Sequence, residues 1–321
     1  MEGENGAESG EPPDRIGQED LSILFDETSS QQHSDDVLLV AESYFEEYER
    51  RGFGEHLAEI FHENTKNSMK NNEDATIRSA QKFNESDLYK YVVSRSPDRS
   101  ENPTVELPEP DPPDMSISDA LARRRSRRNL SGEPISLEAL STLLRYSLGV
   151  NREAPIGLEA PNGEPIEQGF RTYPSGGALY PVEIYLLIVG VDDLAPGVYY
   201  YKPEEHVLRV LKEDPDIEQA IGETFTALDQ LDPRDAAVTL VFTSVFWRAM
   251  AKYGPRGYRY ILQESGHMAQ NVHLVAEAMD LAATPNGGMM EHHLDPYLDL
   301  DGVNESSLYS ITIGKEDHHH E

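Results

Sequence analysis

The chain has 321 residues, lacks cysteine and carries 59 acidic residues against 27 basic ones, which gives a formal net charge of −32. Without cysteine there are no disulfides, thiolate nucleophiles or Cys-ligated metal centres, so any redox chemistry must come from a cofactor. The strong negative charge disfavours binding to nucleic acid or to an anionic membrane.

The same balance predicts a halophilic protein. Only 8 of the basic residues are lysine, and hydrated carboxylates keep a chain dissolved in concentrated salt, where the salt screens their repulsion. An acidic tail on an ordinary enzyme is the alternative, but the acidic residues are spread through the whole chain. We therefore expect a protein adapted to high salt.

The first 113 residues are predicted to form a tail and a helical segment. Residues 1–34 are expected to be a disordered acidic tail, because their start has almost nothing to bury. Residues 35–113 are predicted to hold helices over 35–50 and 54–69, then an extended Pro-rich linker over 103–113. No segment reaches the roughly 20 apolar residues of a membrane span, and the acidic N-terminus does not resemble a signal peptide. We therefore expect a cytoplasmic protein.

Residues 114–321 are predicted to form one α+β domain around a central mixed sheet covered by helices. Two nearly continuous apolar runs, 182–189 and 237–242, are typical of strands covered on both faces, so both should be central. Other patterns predict a helix over 137–148 that Gly149 can terminate, a hairpin of strands 198–201 and 206–211, a helix over 258–281 and a final strand over 307–313.

An arginine cluster is the most unusual motif of this domain. Five of the 19 arginines fall between Arg123 and Arg128, with Ser126 among them. Such a cluster, in so acidic a chain, must hold an anion, bind an acidic partner or pair with the chain's own carboxylates. Guanidinium groups bind phosphate bidentately and the serine adds a donor, which favours a cofactor phosphate. For the cluster alone, a phosphate site and internal ion pairs are equally good interpretations.

Two glycine-containing turns could let the backbone approach a flat ligand. The first, PSGGALYP over 174–181, leads directly into the apolar run at 182, and its prolines stiffen it. The second, TPNGG over 284–288, follows the long predicted helix. Each alone is more often an ordinary turn.

Lys252 and Tyr253 are adjacent and can form a proton-transfer pair if the lysine is desolvated or the tyrosine lies near a cation. The alternative is a run of amphipathic side chains on a helix surface. His292, His293 and the terminal run 318–320 have no spacing typical of a metal site, so we predict no metal.

Taken together and in this order, the motifs resemble the SagB-type dehydrogenases, which are FMN-dependent members of the nitroreductase-like flavoproteins. The motifs are RRSxR, PSGGALYPVEIYLLI, KYGPRGYRYILQESGHMAQNVHLVAEAMDL and a final Gly-Gly turn with IGK. With FHENTK near the front, the resemblance covers roughly residues 55–315. It implies the α+β nitroreductase-like fold and a homodimer with the flavin at the subunit interface.

The resemblance implies FMN ligands at several positions. Arg124, Ser126 and Arg128 look like the ligands of the FMN phosphate and ribityl chain, and Lys315 like a basic residue that closes on the phosphate. The family's C-terminal end is usually longer than the one here, which puts this last contact in doubt.

The two glycine turns also acquire roles from the resemblance. Pro174, Ser175 and Gly176 look like the loop that reaches the isoalloxazine from the second subunit. Gly287 and Gly288 look like the turn whose backbone faces flavin N5. The first 50 residues have no clear counterpart in the family, so their role stays open.

Lys252 and Tyr253 match a pair implicated in azoline oxidation by these enzymes. The expected reaction dehydrogenates a peptide thiazoline or oxazoline to the azole, with a peptide substrate and a cyclodehydratase partner. The first alternative is an NAD(P)H-dependent reductase of nitro, quinone or enone compounds on the same flavin. The second is a flavin-binding scaffold without turnover, against which the Lys-Tyr pair argues mildly.

Overall fold

The structure is a computed structural model, and it describes residues 57–66, 82–83, 86, 97, 99–159, 163, 165–226 and 231–317. The predicted tail over 1–34, the predicted helix over 35–50 and the histidine run at 318–320 lie outside the described residues. The chain divides into two compact units, 1–66 and 67–321.

In the first unit the described residues form one helix, α1, Leu57–Asn64. It lies within the helix predicted over 54–69. Its last turn closes with a hydrogen bond from the Thr65 amide to the Phe61 carbonyl at 3.1 Å. The Asn64 side chain adds a bond to the Ile60 carbonyl at 2.7 Å, which satisfies one of the free acceptors at a helix end.

The second unit is built on a seven-stranded sheet, and a two-stranded ribbon accompanies it. The sheet order is β1-β6-β5-β4-β7-β9-β8, and the ribbon pairs β2 with β3. The strands are β1 (Thr104–Glu106), β2 (Val150–Glu159), β3 (Pro165–Arg171), β4 (Val182–Ile188), β5 (Gly197–Lys202), β6 (Val207–Glu213), β7 (Val238–Val245), β8 (Ala282–Asn286) and β9 (Glu305–Gly314).

All neighbouring strands of the large sheet pair antiparallel. Among the described residues, parallel pairing is found in the isolated bridge between Ile135 and Val191. The predicted α+β class is confirmed, with a sheet that is antiparallel in its ladders. Sequence patterns indicate strands but carry little information on their direction, because antiparallel and parallel strands can both be covered on two faces.

The two apolar runs form the middle of the sheet, as predicted. Strand β4 lies beside β7, and every residue of β4 is buried. Alternate residues of β4 belong to two different apolar clusters, with Ile184 in one and Tyr185 in the other. Because successive side chains of a strand point to opposite faces, both faces of the sheet are covered.

The described residues of this unit form six helices around the sheet, namely α2 (Ile117–Arg123), α3 (Leu137–Leu148), α4 (Ile217–Thr224), α5 (Phe246–Tyr253), α6 (Gly257–Ala278) and α7 (Glu291–Tyr297). Ser116 and Ser136 cap α2 and α3 by accepting amide hydrogen bonds at 3.1 Å. Helix α3 ends at Leu148 and Gly149 follows it, as predicted. Helix α6, strand β9 and the hairpin β5–β6 also match their predicted positions.

The Pro-rich stretch over 103–113 is fastened along this unit. Its residues Thr104–Glu106 form edge strand β1, which pairs with β6. Further on, the Asp111 amide donates to the Thr142 hydroxyl at 3.2 Å. Prolines lack the amide hydrogen that an inner strand needs, so a sheet edge is where such a segment can join.

Helix α6 positions most of the candidate site. It has 22 residues and is therefore about 33 Å long. Its buried face carries Ile261, Met268 and Val272, together with the buried carboxyl groups of Glu264 and Glu277. In the described part of the chain, no helix combines the length and the apolar character needed to cross a bilayer.

Candidate functional site

The arginine cluster begins at the end of α2 and continues into an extended segment. This segment pairs with the residues that follow β9, through a bridge between Leu130 and Glu316. The Asn129 side chain adds a bond to the Asp317 carbonyl at 2.8 Å. The cluster and the C-terminal IGK motif are therefore neighbours in space.

Two of the five arginines pair with the chain's own carboxylates. The Arg127 guanidinium lies 2.8 Å from Glu277 and 3.2 Å from Glu316. The Arg123 side chain approaches Glu277 at 3.3 Å. For these two residues, the internal ion pair is the interpretation that the structure supports.

The other three arginines, Arg124, Arg125 and Arg128, form no ion pair with any described residue. Arg124 is partly buried beside His273, and burial together with the Arg124 charge lowers the pKa of His273 to about 4. His273 is therefore neutral at neutral pH. Ser126 is partly buried within the same segment. The unpaired guanidinium groups suit an anionic ligand.

Lys315 belongs to the C-terminal IGK motif, which neighbours the arginine cluster, but its side chain pairs with a surface glutamate. Its ammonium lies 3.3 Å from Glu133, and its side chain is 47 % exposed. In this arrangement the lysine belongs to a surface ion pair, which contributes little to stability. A phosphate contact would require the side chain to leave Glu133.

The first glycine turn packs onto α5 and α6. Ser175 donates its hydroxyl hydrogen to Glu264 and accepts the Tyr180 amide at 2.9 Å. Gly176 faces Tyr260, because a methyl group built at this glycine would lie 3.5 Å from the Tyr260 side chain. Pro174 is exposed at the start of the turn.

Gly177 brings this turn onto the Lys-Tyr pair. Its φ is +68°, and a methyl group built there would lie 2.5 Å from the Tyr253 hydroxyl and 2.8 Å from the Lys252 ammonium. Both distances are too short for a real contact, so only glycine fits without moving the pair. The structure thus places two motifs that are about 75 residues apart in sequence at one point.

Aromatic rings surround the pair. The Lys252 ammonium lies 4.8 Å from the centroid of Phe83, and the Tyr253 ring meets Tyr260 edge-on at 4.9 Å. Burial raises the pKa of Tyr253, and Tyr260 adds to the shift. The Tyr253 phenol therefore keeps its proton at neutral pH.

Buried charged residues that the sequence patterns did not single out support this region. Arg248, one turn before Lys252, donates to the Tyr180 carbonyl at 3.0 Å and pairs with Glu183. Arg171 donates to the Tyr173 hydroxyl at 2.8 Å. Burial alone would lower the pKa of Arg171, but Tyr173 and two nearby carboxylates hold it well above its usual value. Both ends of the 174–181 turn are therefore anchored by buried cations.

The second glycine turn follows β8. The Gly288 amide donates to the Asn286 side chain at 2.7 Å, so this N–H is already used within the turn. Gly287 borders open space, because a methyl group built there would meet nothing within 4 Å. Thr284, in the same strand, donates to the Arg127 carbonyl. This turn therefore lies on the same side of the molecule as the arginine cluster.

The predicted site residues fall into two groups at opposite ends of α6. The turn at 174–178 and the Lys-Tyr pair contact Tyr260 and Glu264 near its start, whereas the arginines contact Glu277 near its end. Tyr260 and Glu277 are 17 residues apart, roughly 25 Å along a helix. The candidate residues of one chain therefore form two separate groups, which we call the half-sites: a basic one with the second glycine turn, and an aromatic one with the Lys-Tyr pair.

The nitroreductase family matches residues 121–315, and the chain belongs to this family. The class that fold and site define is thus an FMN-dependent oxidoreductase. The residues fit such a cofactor, because unpaired guanidinium groups can hold its phosphate and a turn closed to any side chain can lie against its flat ring.

Three relatives sharpen the comparison. A protein of Methanocaldococcus jannaschii named as a nitroreductase is 33% identical over 214 residues, which are 66% of this chain and 98% of the relative. The trifolitoxin-processing protein TfxB of Rhizobium leguminosarum bv. trifolii is 27% identical over 58% of this chain. The microcin B17-processing protein McbC of Escherichia coli is 33% identical over 41% of it.

The chain spans about half the length of the two toxin-processing relatives, 49% of each. Among solved structures, the Escherichia coli microcin synthetase McbBCD complex, with truncated pro-MccB17 bound, matches with a TM-score of 0.51 and 25% identity. The match covers 65% of this chain and 76% of that one.

Proposed function

We propose that the protein is a SagB-type dehydrogenase that oxidises a peptide thiazoline or oxazoline to the azole. The observation that carries the proposal is the contact of Gly177 with Lys252 and Tyr253. A plain flavin reductase has no need for a Lys-Tyr pair held against a glycine of positive φ. An enzyme that must remove a proton from its substrate does need such a pair.

The conversion of an azoline to an azole removes two hydrogens, one as a proton from carbon and one as a hydride. When bound, FMN supplies the hydride acceptor. The chain's own task is to take the proton. Because Tyr253 keeps its proton at neutral pH, we assign proton removal to the neutral amine form of Lys252, which becomes an ammonium as it takes the proton. We assign a hydrogen bond to the substrate to Tyr253.

The cofactor contacts follow from the two half-sites. We assign the phosphate and ribityl chain to Arg124, Ser126 and Arg128, and the ring to the two glycine turns. Since the half-sites of one chain lie far apart along α6, a homodimer would complete each site with the 174–178 turn of the partner. The distance between the half-sites supports this arrangement.

The substrate class draws on the relatives. Two of them are named for processing peptide toxins, and the McbBCD structure holds a truncated propeptide. We propose a peptide substrate and a cyclodehydratase partner for this chain as well.

The runner-up function is an NAD(P)H-dependent reductase of nitro, quinone or enone compounds. One observation favours it: the relative that this chain spans almost completely, at 98%, is the one named as a nitroreductase. A reductase of this kind receives its hydride from nicotinamide, and its product can take a proton from water, so it needs no base.

Two substitutions test the proposal. Lys252→Ala and Tyr253→Phe should each retain FMN while thiazole formation from a thiazoline peptide under O2 falls by about 10²-fold or more. The measurement combines the flavin spectrum of the purified protein with mass spectrometry of the peptide, which loses two hydrogens. Lys212→Ala and Tyr297→Phe, which form a lysine–tyrosine contact between β6 and α7, serve as matched controls and should act like the wild type.

A second assay with NADPH and a quinone separates the two functions. Robust NADPH turnover that ignores both substitutions, with no thiazole formed by the wild type, would establish the reductase instead. A protein that binds no FMN in molar salt would contradict both.

A further inference from the structure

One buried carboxyl group lies beneath the first glycine turn and has no part in the proposed chemistry. Glu264 is 2 % exposed, and one of its carboxyl oxygens accepts a hydrogen bond from the Ser175 hydroxyl. Its second oxygen is buried and has no hydrogen-bond partner among the described residues. A buried carboxylate in this state would be poorly compensated.

The position of Glu264 ties it to the Lys-Tyr pair. It lies one turn after Tyr260, so both side chains are on the same face of α6. Tyr260 contacts Gly176 and the Tyr253 ring, while Glu264 holds Ser175. One face of the helix therefore fixes the turn at two successive residues and supports the pair at the same time.

We propose that Glu264 is a positioning residue: its neutral carboxyl group anchors the 174–178 turn through Ser175 and so holds Gly177 against Lys252 and Tyr253. The anchoring rests on the geometry alone. Its importance for proton removal rests on the proposed function.

The charged and titratable groups that face Glu264 come from each element packed on it. Arg171 approaches from β3 and Arg248 from α5, while Tyr173 and Tyr180 flank the turn. Burial raises the pKa of Glu264 to about 7, and the Ser175 hydroxyl, Arg171, the Val182 backbone and Arg248 offset it only in part. The two arginines stay charged and the two tyrosines stay neutral near that pH, so Glu264 is the group that titrates there.

The direction of the pH effect follows from proton linkage. If the turn opens, water reaches Glu264 and its pKa returns to the ordinary value near 4.3. Between the two values the closed turn binds more protons than the open one, so closure weakens as pH rises towards 7 and is constant above it. The full change is on the order of 10²-fold in the opening equilibrium.

Hydrogen exchange of the Tyr180 amide tests this in the full chain, with and without FMN. This amide donates to Ser175, so its protection reports closure of the turn. In the wild type, the protection factor should fall between pH 5 and 7, after correction for the intrinsic exchange rate. In Glu264→Gln, whose side chain stays neutral, it should be constant over this range. Glu109→Gln, at an exposed position, is the matched control and should behave like the wild type.

A further variant keeps the test decisive if Glu264→Gln folds poorly. Ser175→Ala leaves the carboxyl group in place but removes the anchor, and it also removes the acceptor of the Tyr180 amide. In this variant closure is therefore measured at the Ala178 amide, which donates to the Ser175 carbonyl at 3.1 Å and should already be poorly protected at pH 5. An unchanged pH dependence in Glu264→Gln, or full protection in Ser175→Ala, would overturn the proposal. The hydrogen-exchange measurement does not require FMN. A negative result in it can therefore be distinguished from a failure of the protein to bind FMN.

Discussion

Helix α6 carries a buried glutamate near each end, and the two differ in what holds them. Glu264 and Glu277 are both 2 % exposed. Glu277 accepts from the guanidinium groups of Arg123 and Arg127, whereas Glu264 accepts from a serine hydroxyl. Equal burial therefore leads to two different states, an ion pair in one case and a carboxyl group that favours its neutral form in the other.

This difference separates the two half-sites by their chemistry. At the end of α6, Glu277 forms ion pairs with Arg123 and Arg127 and thereby orients the segment. The same segment carries Arg124 and Arg128, which are the proposed ligands of an anion. At the start of α6, an uncharged contact keeps a turn in place next to the Lys-Tyr pair. The arginines keep their charge at any ordinary pH, which favours the binding of a phosphate. The Glu264 carboxyl group can lose its proton near neutral pH, so its hold on the 174–178 turn can change.

The largest expected effect is on the free energy of unfolding when each of the two glutamates is replaced, in turn, by glutamine. Glu277→Gln removes the carboxylate that Arg123 faces and leaves Arg127 with Glu316 alone, so it should cost about 2–3 kcal/mol of unfolding free energy, within the range for hydrogen bonds to a charged group. Glu264→Gln at pH 5, where the wild-type side chain is already neutral, should cost less than about 1.5 kcal/mol. Urea unfolding at pH 5 measures both. Equal costs would break the comparison.

The next effect concerns the unpaired arginines. Arg124→Ala and Arg128→Ala should each weaken FMN binding by about 1.5–3 kcal/mol, since each removes charge-assisted bonds to the phosphate. Fluorescence titration with FMN gives the affinity, and thermal unfolding of the flavin-free protein checks that the fold is little affected. Arg209→Ala is the control, because Arg209 lies on β6, towards the opposite edge of the sheet from β8, and its side chain pairs with Glu205. Unchanged affinity in both variants would contradict the assignment of Arg124 and Arg128 to the FMN phosphate.

The smallest expected effect is that of salt on the stability difference between the wild type and Glu277→Gln. Because the 59 acidic residues repel one another, the melting temperature should rise with KCl into the molar range. The difference between the wild type and Glu277→Gln should change little, since buried pairs are screened less than surface charges. A melting temperature that falls steadily with KCl would contradict the halophilic interpretation.

Much of the fold could be predicted from patterns that are local in sequence. The apolar runs at 182–189 and 237–242 identify the two middle strands, and the helical stripe with Gly149 after it locates α3. The strand order could not be predicted in this way, because β9 lies between β7 and β8 through contacts that span up to about 75 residues. The family membership was carried by the order of motifs and is confirmed by the match over 121–315.

The candidate site was predictable in its parts but not in its connections. No local pattern distinguishes Arg127 from Arg128, because the partner that selects Arg127 is Glu277, 150 residues later. Glu264 did leave a signal: it lies three residues after Ile261 and four before Met268, an acidic residue on an otherwise apolar stripe. Arg171 and Arg248 are single basic residues without any such spacing, and only the folded chain reveals them.

The bridge between Leu130 and Glu316 also bears on how the protein is made. These residues are 186 positions apart, so the pairing that fixes the arginine segment cannot form until strand β9 and the residues after it have left the ribosome. Strand β8, which leads to Gly287, likewise joins the sheet through β9, its one neighbour among the described strands. The basic half-site is thus among the last parts of the domain to be assembled during translation. If the arginine cluster binds the FMN phosphate as proposed, the nascent chain can do so only once that late step is complete.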